Sequence, residues 1–262
     1  FVEDGEEVCQ EVEPLMRQLA TDFAGKKLLD LSDLPVGNGQ PIPRISYRDA
    51  METYGSDKPD LRFGMELIEL TDVFADTEFG VFKNAECIKE GAGGLAYIKY
   101  VTIKNADEAQ GYTIPVVGSN FYGYDAISPV AKFLSDEEHK LLIEKMNPED
   151  GDVIFFGADT RPVVNAVLGR LRNEFAAHFN LKDPSVVALA WIIDFPFYEW
   201  DDHGKKLDFG HNPFSMPKGG LGALESATTD AEKLAIVADQ FDMVMNGYEI
   251  CSGGVRNHNP AV

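Results

Sequence analysis

Hydrophobic positions recur along this chain with two periods. Val8, Val12, Leu15, Met16, Leu19 and Phe23 follow the 3.6-residue period of a helix face, which Gly25 ends. Ser46 with Asp49 is a start signal for a short helix reaching Tyr54. Ser135 with Glu138 opens a helix ending near Met146, and Thr229 with Glu232 opens one reaching about Asp239. Pro162 suits the first turn of a helix running to about Phe179, with Val164, Leu168, Leu171 and Phe175 as its inner stripe. Elsewhere the period is two. Leu95–Ile103 alternates as a strand, Val153–Phe156 is a short buried strand, and Val186–Phe195 is apolar enough for a central one. Met65–Lys89 alternates loosely and predicts further strands. Gln240–Met245 and Tyr248–Cys251 are strand-like runs joined by Asn246-Gly247, the strongest short-range hairpin signal.

That hairpin concentrates candidate chemistry. A two-residue turn sets Met245 opposite Tyr248, Val244 opposite Glu249 and Asp242 opposite Cys251. Side chains alternate, so Asp242 shares a face with Val244 and hence with Glu249. Two carboxylates there are within reach of one proton or one cation. Mg²⁺ suits them, with phosphate oxygens as the other ligands. The alternative is a pair of solvated acids on an exposed sheet face. Arg256 lies seven residues past Glu249, which on a straight strand is the opposite face. Ser252-Gly253-Gly254 between them permits a bulge that flips the register. An Arg held there would clamp a substrate carboxylate with two parallel hydrogen bonds, or else is a surface Arg after a flexible loop. His211, in Gly210-His-Asn-Pro-Phe214, precedes a Pro-fixed turn. Its neutral imidazole suits ligand binding, or it is a structural or exposed loop histidine.

Composition narrows the classes. At 262 residues the chain is one large domain or two modest ones, and the alternating strands and helices between about 67 and 185 read as a compact α+β unit. With 23 Lys and Arg against 44 Asp and Glu, the net charge is −21. That makes it a poor candidate for non-specific DNA binding, which needs a basic footprint, though an acidic body leaves room for a small basic patch. Arg161, Arg170 and Arg172 on the Pro162 helix are a local exception, read either as contacts to a polyanion or as a solvated helix face. Cys9, Cys87 and Cys251 are far apart and form no CxxC pair, which predicts reduced thiols, a cytoplasmic location and no zinc ribbon. The apolar runs are too short to span a bilayer. Glu3, Asp4, Glu6 and Glu7, where a basic segment should be, do not fit a signal peptide, and the absence of an initial Met suggests a piece of a longer chain. No nucleophile elbow, Walker loop or dinucleotide fingerprint is present.

Several segments, in order, resemble the bacterial-type aspartyl-tRNA synthetases of class II. They are Pro41-Ile-Pro-Arg-Ile-Ser-Tyr47, Tyr54-Gly-Ser-Asp-Lys-Pro-Asp-Leu-Arg62, Trp191-Ile-Ile-Asp-Phe-Pro196, His211-Asn-Pro-Phe214, Asn246-Gly-Tyr-Glu-Ile250 and Val255-Arg-Asn-His-Asn259. Between them, Ser128-Pro-Val-Ala-Lys-Phe-Leu134 and Gly151-Asp-Val-Ile-Phe-Phe156 resemble the insertion domain shared with the B subunit of tRNA-dependent amidotransferases.

The resemblance implies an α+β fold: part of the class II antiparallel sheet with flanking helices, in two pieces at 1–66 and 187–262, and an inserted α+β domain at 67–186. It implies ATP-dependent activation of L-aspartate to aspartyl-adenylate, followed by transfer to the 3′ end of tRNA, in a cytoplasmic homodimer. His211 and Arg256 match residues that bind L-aspartate. Glu249 matches the ligand of ATP and Mg²⁺, and Asp242 a second Mg²⁺-linked acid. The resemblance places the anticodon-binding barrel and other ATP-holding motifs outside this chain, so the fragment alone is expected to be inactive and to bind tRNA weakly. The competing reading is a non-catalytic tRNA- or partner-binding module built around the inserted domain.

Overall fold

The computed structural model describes residues 4–79, 94–102, 116–121, 124–128, 130–149, 151–201 and 203–262. Cys87 and most of the Gly91–Gly94 cluster lie outside them. The chain forms two compact units: residues 1–67 with 169–262, and residues 68–168.

The first unit opens with α1 (Gly5–Gln18), capped by Asp4, whose carboxylate accepts the Glu7 N–H at 3.0 Å. A π-helical turn, Leu19–Phe23, extends it to left-handed Gly25. β1 (Lys27–Leu28) and β2 (Arg44–Ser46) follow, then α2 (Tyr47–Tyr54). Ser46 Oγ caps α2 on the Asp49 N–H at 3.0 Å, and Gly55 ends it with φ of 67°.

In the second unit, β3 (Gly94–Thr102), β4 (Val116–Phe121) and β5 (Tyr124–Ile127) precede α3 (Asp136–Met146), which has the capping box read from Ser135 and Glu138. β6 (Val153–Ala158) completes an antiparallel sheet of order β4-β5-β3-β6, whose core includes Leu142, Ile154 and Phe156. The strands expected in Met65–Lys89 are absent from its described part, where residues 71–76 are turns; the remainder lies outside the described residues.

α4 (Arg161–His178) crosses the division between the units. Up to Leu168 it packs on β6, where a Cβ on Gly157 would meet Val164 and Leu168. From Gly169 onward it packs within the first unit, where a Cβ on Gly169 would lie 2.7 Å from the Gly55 carbonyl oxygen. The return to the first unit therefore falls inside a helix rather than at 186. Gly169, Arg172 and Ala176 form the buried ridge, and the expected stripe of Val164, Leu168, Leu171 and Phe175 is a half-buried flank. A ridge pressed onto backbone favours small side chains, which a hydrophobic pattern does not register.

The first unit then adds β7 (Val186–Val187), parallel to β1, and β8 (Leu189–Ile193). β9 (Tyr198–Asp201) and β10 (Lys206–Phe209) form a separate hairpin. α5 (Gly220–Ser226) and α6 (Asp230–Leu234) are short. α6 keeps its Thr229–Glu232 capping box but stops before Asp239, because Val237 and Ala238 bridge to Pro196 and Pro217 instead. β11 (Gln240–Met245) and β12 (Tyr248–Gly254) complete a mixed sheet of order β12-β11-β8-β2, antiparallel except for the parallel pair β2–β8.

The sheet's two faces bury different partners. Ile45, Ala190, Ile192 and Val244 pack with Ala50 and Tyr54 of α2 and with Leu61. Leu189, Trp191, Phe241 and Met243 pack against α1 through Cys9, with Val8, Val12 and Met16 half-buried. Leu15, Leu19 and Phe23, expected on the inner face, are exposed, and Phe23 is 80% so. The buried line runs instead through Gly5, Cys9 and Ala20. Arg44 ties α1 down: its guanidinium reaches Glu6 at 2.6 Å, Glu13, and the Ile42 carbonyl at 3.0 Å. Burial pushes the Cys9 thiol up to about 12, so it is a packed thiol and not a nucleophile. Among the described residues no helix is long and apolar enough to cross a membrane.

Candidate functional site

The β11–β12 hairpin forms where Asn246 and Gly247 were expected to turn, with φ of 53° and 89°. Asn246 also pins the turn to the sheet. Its Oδ1 accepts the Ala188 N–H at 2.8 Å and its Nδ2 donates to the Val186 carbonyl at 3.1 Å. Met245 pairs with Tyr248 and Val244 with Glu249, as expected. Asp242 pairs with Ser252, not Cys251, because the register slips by one residue between Met243 and Val244. The bulge lies at Ile250, upstream of the glycines in which it was anticipated. It puts Ser252 and Gly254, rather than Cys251 and Gly253, on Asp242's side of the sheet.

Asp242 and Glu249 share that face, but in unlike environments. Asp242 is 6% exposed, and its Oδ1 is buried without a hydrogen-bond partner. Burial, reinforced by the Glu249 charge, pushes its carboxyl up to about 7. Glu249 is open to solvent. Lys58 faces it from the loop after α2, its Nζ 2.6 Å from Asp57 Oδ2 and 3.4 Å from Glu249 Oε2. Hydrogen bonding to Asp57 and the two carboxylate charges outweigh the desolvation of Lys58 and raise its pKa. The loop is set by left-handed Gly55, by Ser56 Oγ accepting the Lys58 N–H at 3.0 Å, and by Arg62 forking onto buried Asp60 at 2.9 and 2.7 Å.

His211 stands by α2. Its ring is edge-on to Phe195 at 4.9 Å and to Tyr47 at 5.2 Å, and Nε2 lies 3.4 Å from Glu199 Oε1. Burial, then the charges of Glu199 and Asp57, raise the Tyr47 phenol. Tyr47 therefore senses both the His211 group and the Asp57–Lys58 group. Arg256 is exposed, with its guanidinium 5.0 Å above the Phe214 ring and on neither acid. Backbone pairing joins its segment to the histidine loop: Ser215 bridges Arg256, and the Met216 N–H donates to Val255 at 2.7 Å. Ser215 Oγ and Gln240 Oε1 are also buried without partners.

The structure thus sets Asp242 and Glu249 on one face of the hairpin, and brings the His211 and Arg256 loops side by side. Lys58, Asp57, Tyr47, Gln240 and Ser215 were not singled out from sequence. The motif Gly-Ser-Asp-Lys-Pro-Asp was the available signal for the first two. Two surface depressions among the described residues, of 220 and 420 Å³ near Phe63 and near Ala223, include none of the four expected residues.

The first unit is a mixed sheet packed between helices, with two acids on one face of its hairpin beside a Lys loop. The chain belongs to the class II tRNA synthetases (D, K and N), whose family matches residues 1–262. Its relatives include proteins named aspartate–tRNA(Asp/Asn) ligase. That of Brucella anthropi is 40% identical over 98% of this chain and 43% of its own length, and that of Chlorobium chlorochromatii 38% over 100% and 42%. That of Rickettsia canadensis is 36% identical over 98% and 42%. The chain spans about two-fifths of the length of these relatives.

Proposed function

We propose that this chain is part of an aspartate–tRNA ligase, which activates L-aspartate with ATP and transfers the aspartyl group to the 3′ end of tRNA. The observation that carries the reading is the buried, partnerless Asp242 oxygen beside Glu249, on a chain whose relatives bear that name. An acid kept from ionising by burial and a neighbouring acid is a site prepared for added positive charge. All-oxygen donors fit Mg²⁺. Among the described residues no group of three or more His, Cys, Asp or Glu is placed to hold a metal. In this reading phosphate oxygens and water would complete the set. When bound, the ion neutralises charge building on the phosphates.

The chain's own residues would do the rest. Asp242 would give up its proton on loading, and with Glu249 would orient the phosphates. Lys58 adds a cation beside them. His211, held by Phe195 and Tyr47, and Arg256, swung from Phe214, would hold the aspartate, with the Arg fork selecting its side-chain carboxylate over an amide. The α-carboxylate then attacks the α-phosphate, releasing pyrophosphate. The same reading carries a cytoplasmic homodimer, and a 262-residue chain that does not catalyse the first step by itself.

Aspartate-dependent pyrophosphate exchange in a full-length ligase carrying this segment tests the roles. Asp242→Asn and Glu249→Gln are expected to cut the rate by about 100-fold or more, the scale of lost transition-state charge stabilisation. Arg256→Leu should raise KM for aspartate. Exchange within two-fold of the parent in both acid variants overturns the assignment.

A further inference from the structure

α4 carries a buried charge outside the groups assigned above. Arg172 is 3% exposed. Its Nε donates to the Gly64 carbonyl at 3.2 Å, and its Nη2 to the carbonyls of Asp60 and Phe63, both at 2.8 Å. The guanidinium lies 4.1 Å from the Phe63 ring centre and 4.9 Å from that of Tyr54. Burial lowers its pKa, and its Nη1 is buried without a partner. Read as a polyanion contact or a solvated helix face, Arg172 fits neither description. An interior guanidinium held by carbonyls and rings is a costly choice over an apolar residue. Its rigid fork does one thing an apolar residue cannot: it gathers several carbonyls of one irregular segment.

That segment leads to the acid pair. Its Asp60 lies against the hairpin turn, where a Cβ on Gly247 would stand 3.4 Å from Asp60 Cβ. Two residues earlier it carries Lys58, whose ammonium sits between Asp57 and Glu249. Contacts therefore run unbroken from Arg172, through the Asp60 carbonyl and the loop, to Lys58 and Glu249.

We propose that Arg172 is a positioning residue for the acid-pair site. Its carbonyl fork holds the segment 56–64 in the conformation that sets the Lys58 ammonium against Glu249. That Lys58 there meets the phosphates of a nucleotide rests on the function proposed above; the positioning does not.

Acylation of lysines by an N-hydroxysuccinimide acetate, read residue by residue by mass spectrometry on the intact chain, separates the two. Lys58 should label more slowly than exposed Lys205. Arg172→Met should accelerate Lys58 about five-fold by raising local opening of the loop, with Lys205 and the Asp194-paired Lys218 unchanged. Arg172→Gln, which keeps part of the donor set, should give a smaller rise. Lys218 reports the fold: if Arg172→Met accelerates it as well, the decision passes to Arg172→Gln. A native Lys58 rate in a variant with a native Lys218 rate overturns the proposal, and means that the Asp60–Arg62 pair holds the loop unaided. The same measurement with Mg·ATP, on an unsubstituted full-length ligase carrying this segment, reads the functional assignment separately. Accelerated Lys58 in the Arg172 variants without protection by Mg·ATP leaves the positioning standing and the nucleotide role lost. Protection without acceleration does the reverse.

Discussion

Asp242 holds its proton where an ordinary aspartate has lost it, and this gives the site a pH signature. Its native pKa of about 7 lies above the usual 3.8, so between those values the native state binds more protons than the unfolded chain. The penalty is absent below the lower value, grows as pH rises through the window and is complete above about 7. Asp242→Asn removes it. In metal-free buffer the variant should be more stable than the parent at pH 8, by on the order of 2 kcal/mol, and nearly equal at pH 4. Urea denaturation at the two pH values checks this, and a pH-independent difference would refute it. That Asp242 and Glu249 share a face was legible because alternation about an Asn-Gly turn is local arithmetic. Lys58, Tyr47 and Ser215 were not, since each comes from a segment that only tertiary packing brings near. Arg172 was misread for a related reason: charge predicts exposure, and nothing local announces carbonyls waiting in a loop more than 100 residues earlier.

Among the elements, the hairpin depends on a side chain as much as on its turn geometry. Asn246→Ala deletes two hydrogen bonds to the backbone of 186–188 and places Ala at a positive φ. A loss of about 2 kcal/mol is expected in chemical denaturation, from the unsatisfied backbone groups and the left-handed strain. A loss under about 0.5 kcal/mol would show that the pleated pairing alone fixes the turn. Helix starts were legible at Ser46, Ser135 and Thr229, because a cap is a short-range bond between residues three apart. Helix faces were less so. On α1 the expected line drifted outward at Leu15 and Leu19, and on α4 the tight approach of backbone at Gly169 moved the buried ridge onto small and polar residues. The bulge at Ile250 escaped because the glycines that advertised one lie a few residues further on.

For the whole molecule, charge sets the expectation for a polyanionic partner. At −21, with Arg172 inside and exposed Arg161 and Arg170 beside Glu69 and Glu174, the chain offers little to neutralise phosphates. Binding of tRNA by this chain should be weaker than micromolar at physiological salt, with a shallow salt slope. Tight binding with a steep slope in a filter or fluorescence titration would locate a basic site that these residues do not form. The change of pattern near 67 marked one division of the chain, but the other is invisible in sequence because α4 runs through it without a break. The backbone on either side of the 68–168 unit is stitched together inside the sheet unit: Gly169 is pressed on Gly55, and Arg172 grips Asp60, Phe63 and Gly64. With the two ends already neighbours, the ring closed by the intervening chain adds entropy cost only logarithmically with its length. The position is therefore expected to tolerate replacement of the intervening chain. A chain joining residue 67 to residue 169 through a short Gly-Ser bridge should still unfold in one cooperative thermal transition, with α1, the mixed sheet and the acid hairpin intact.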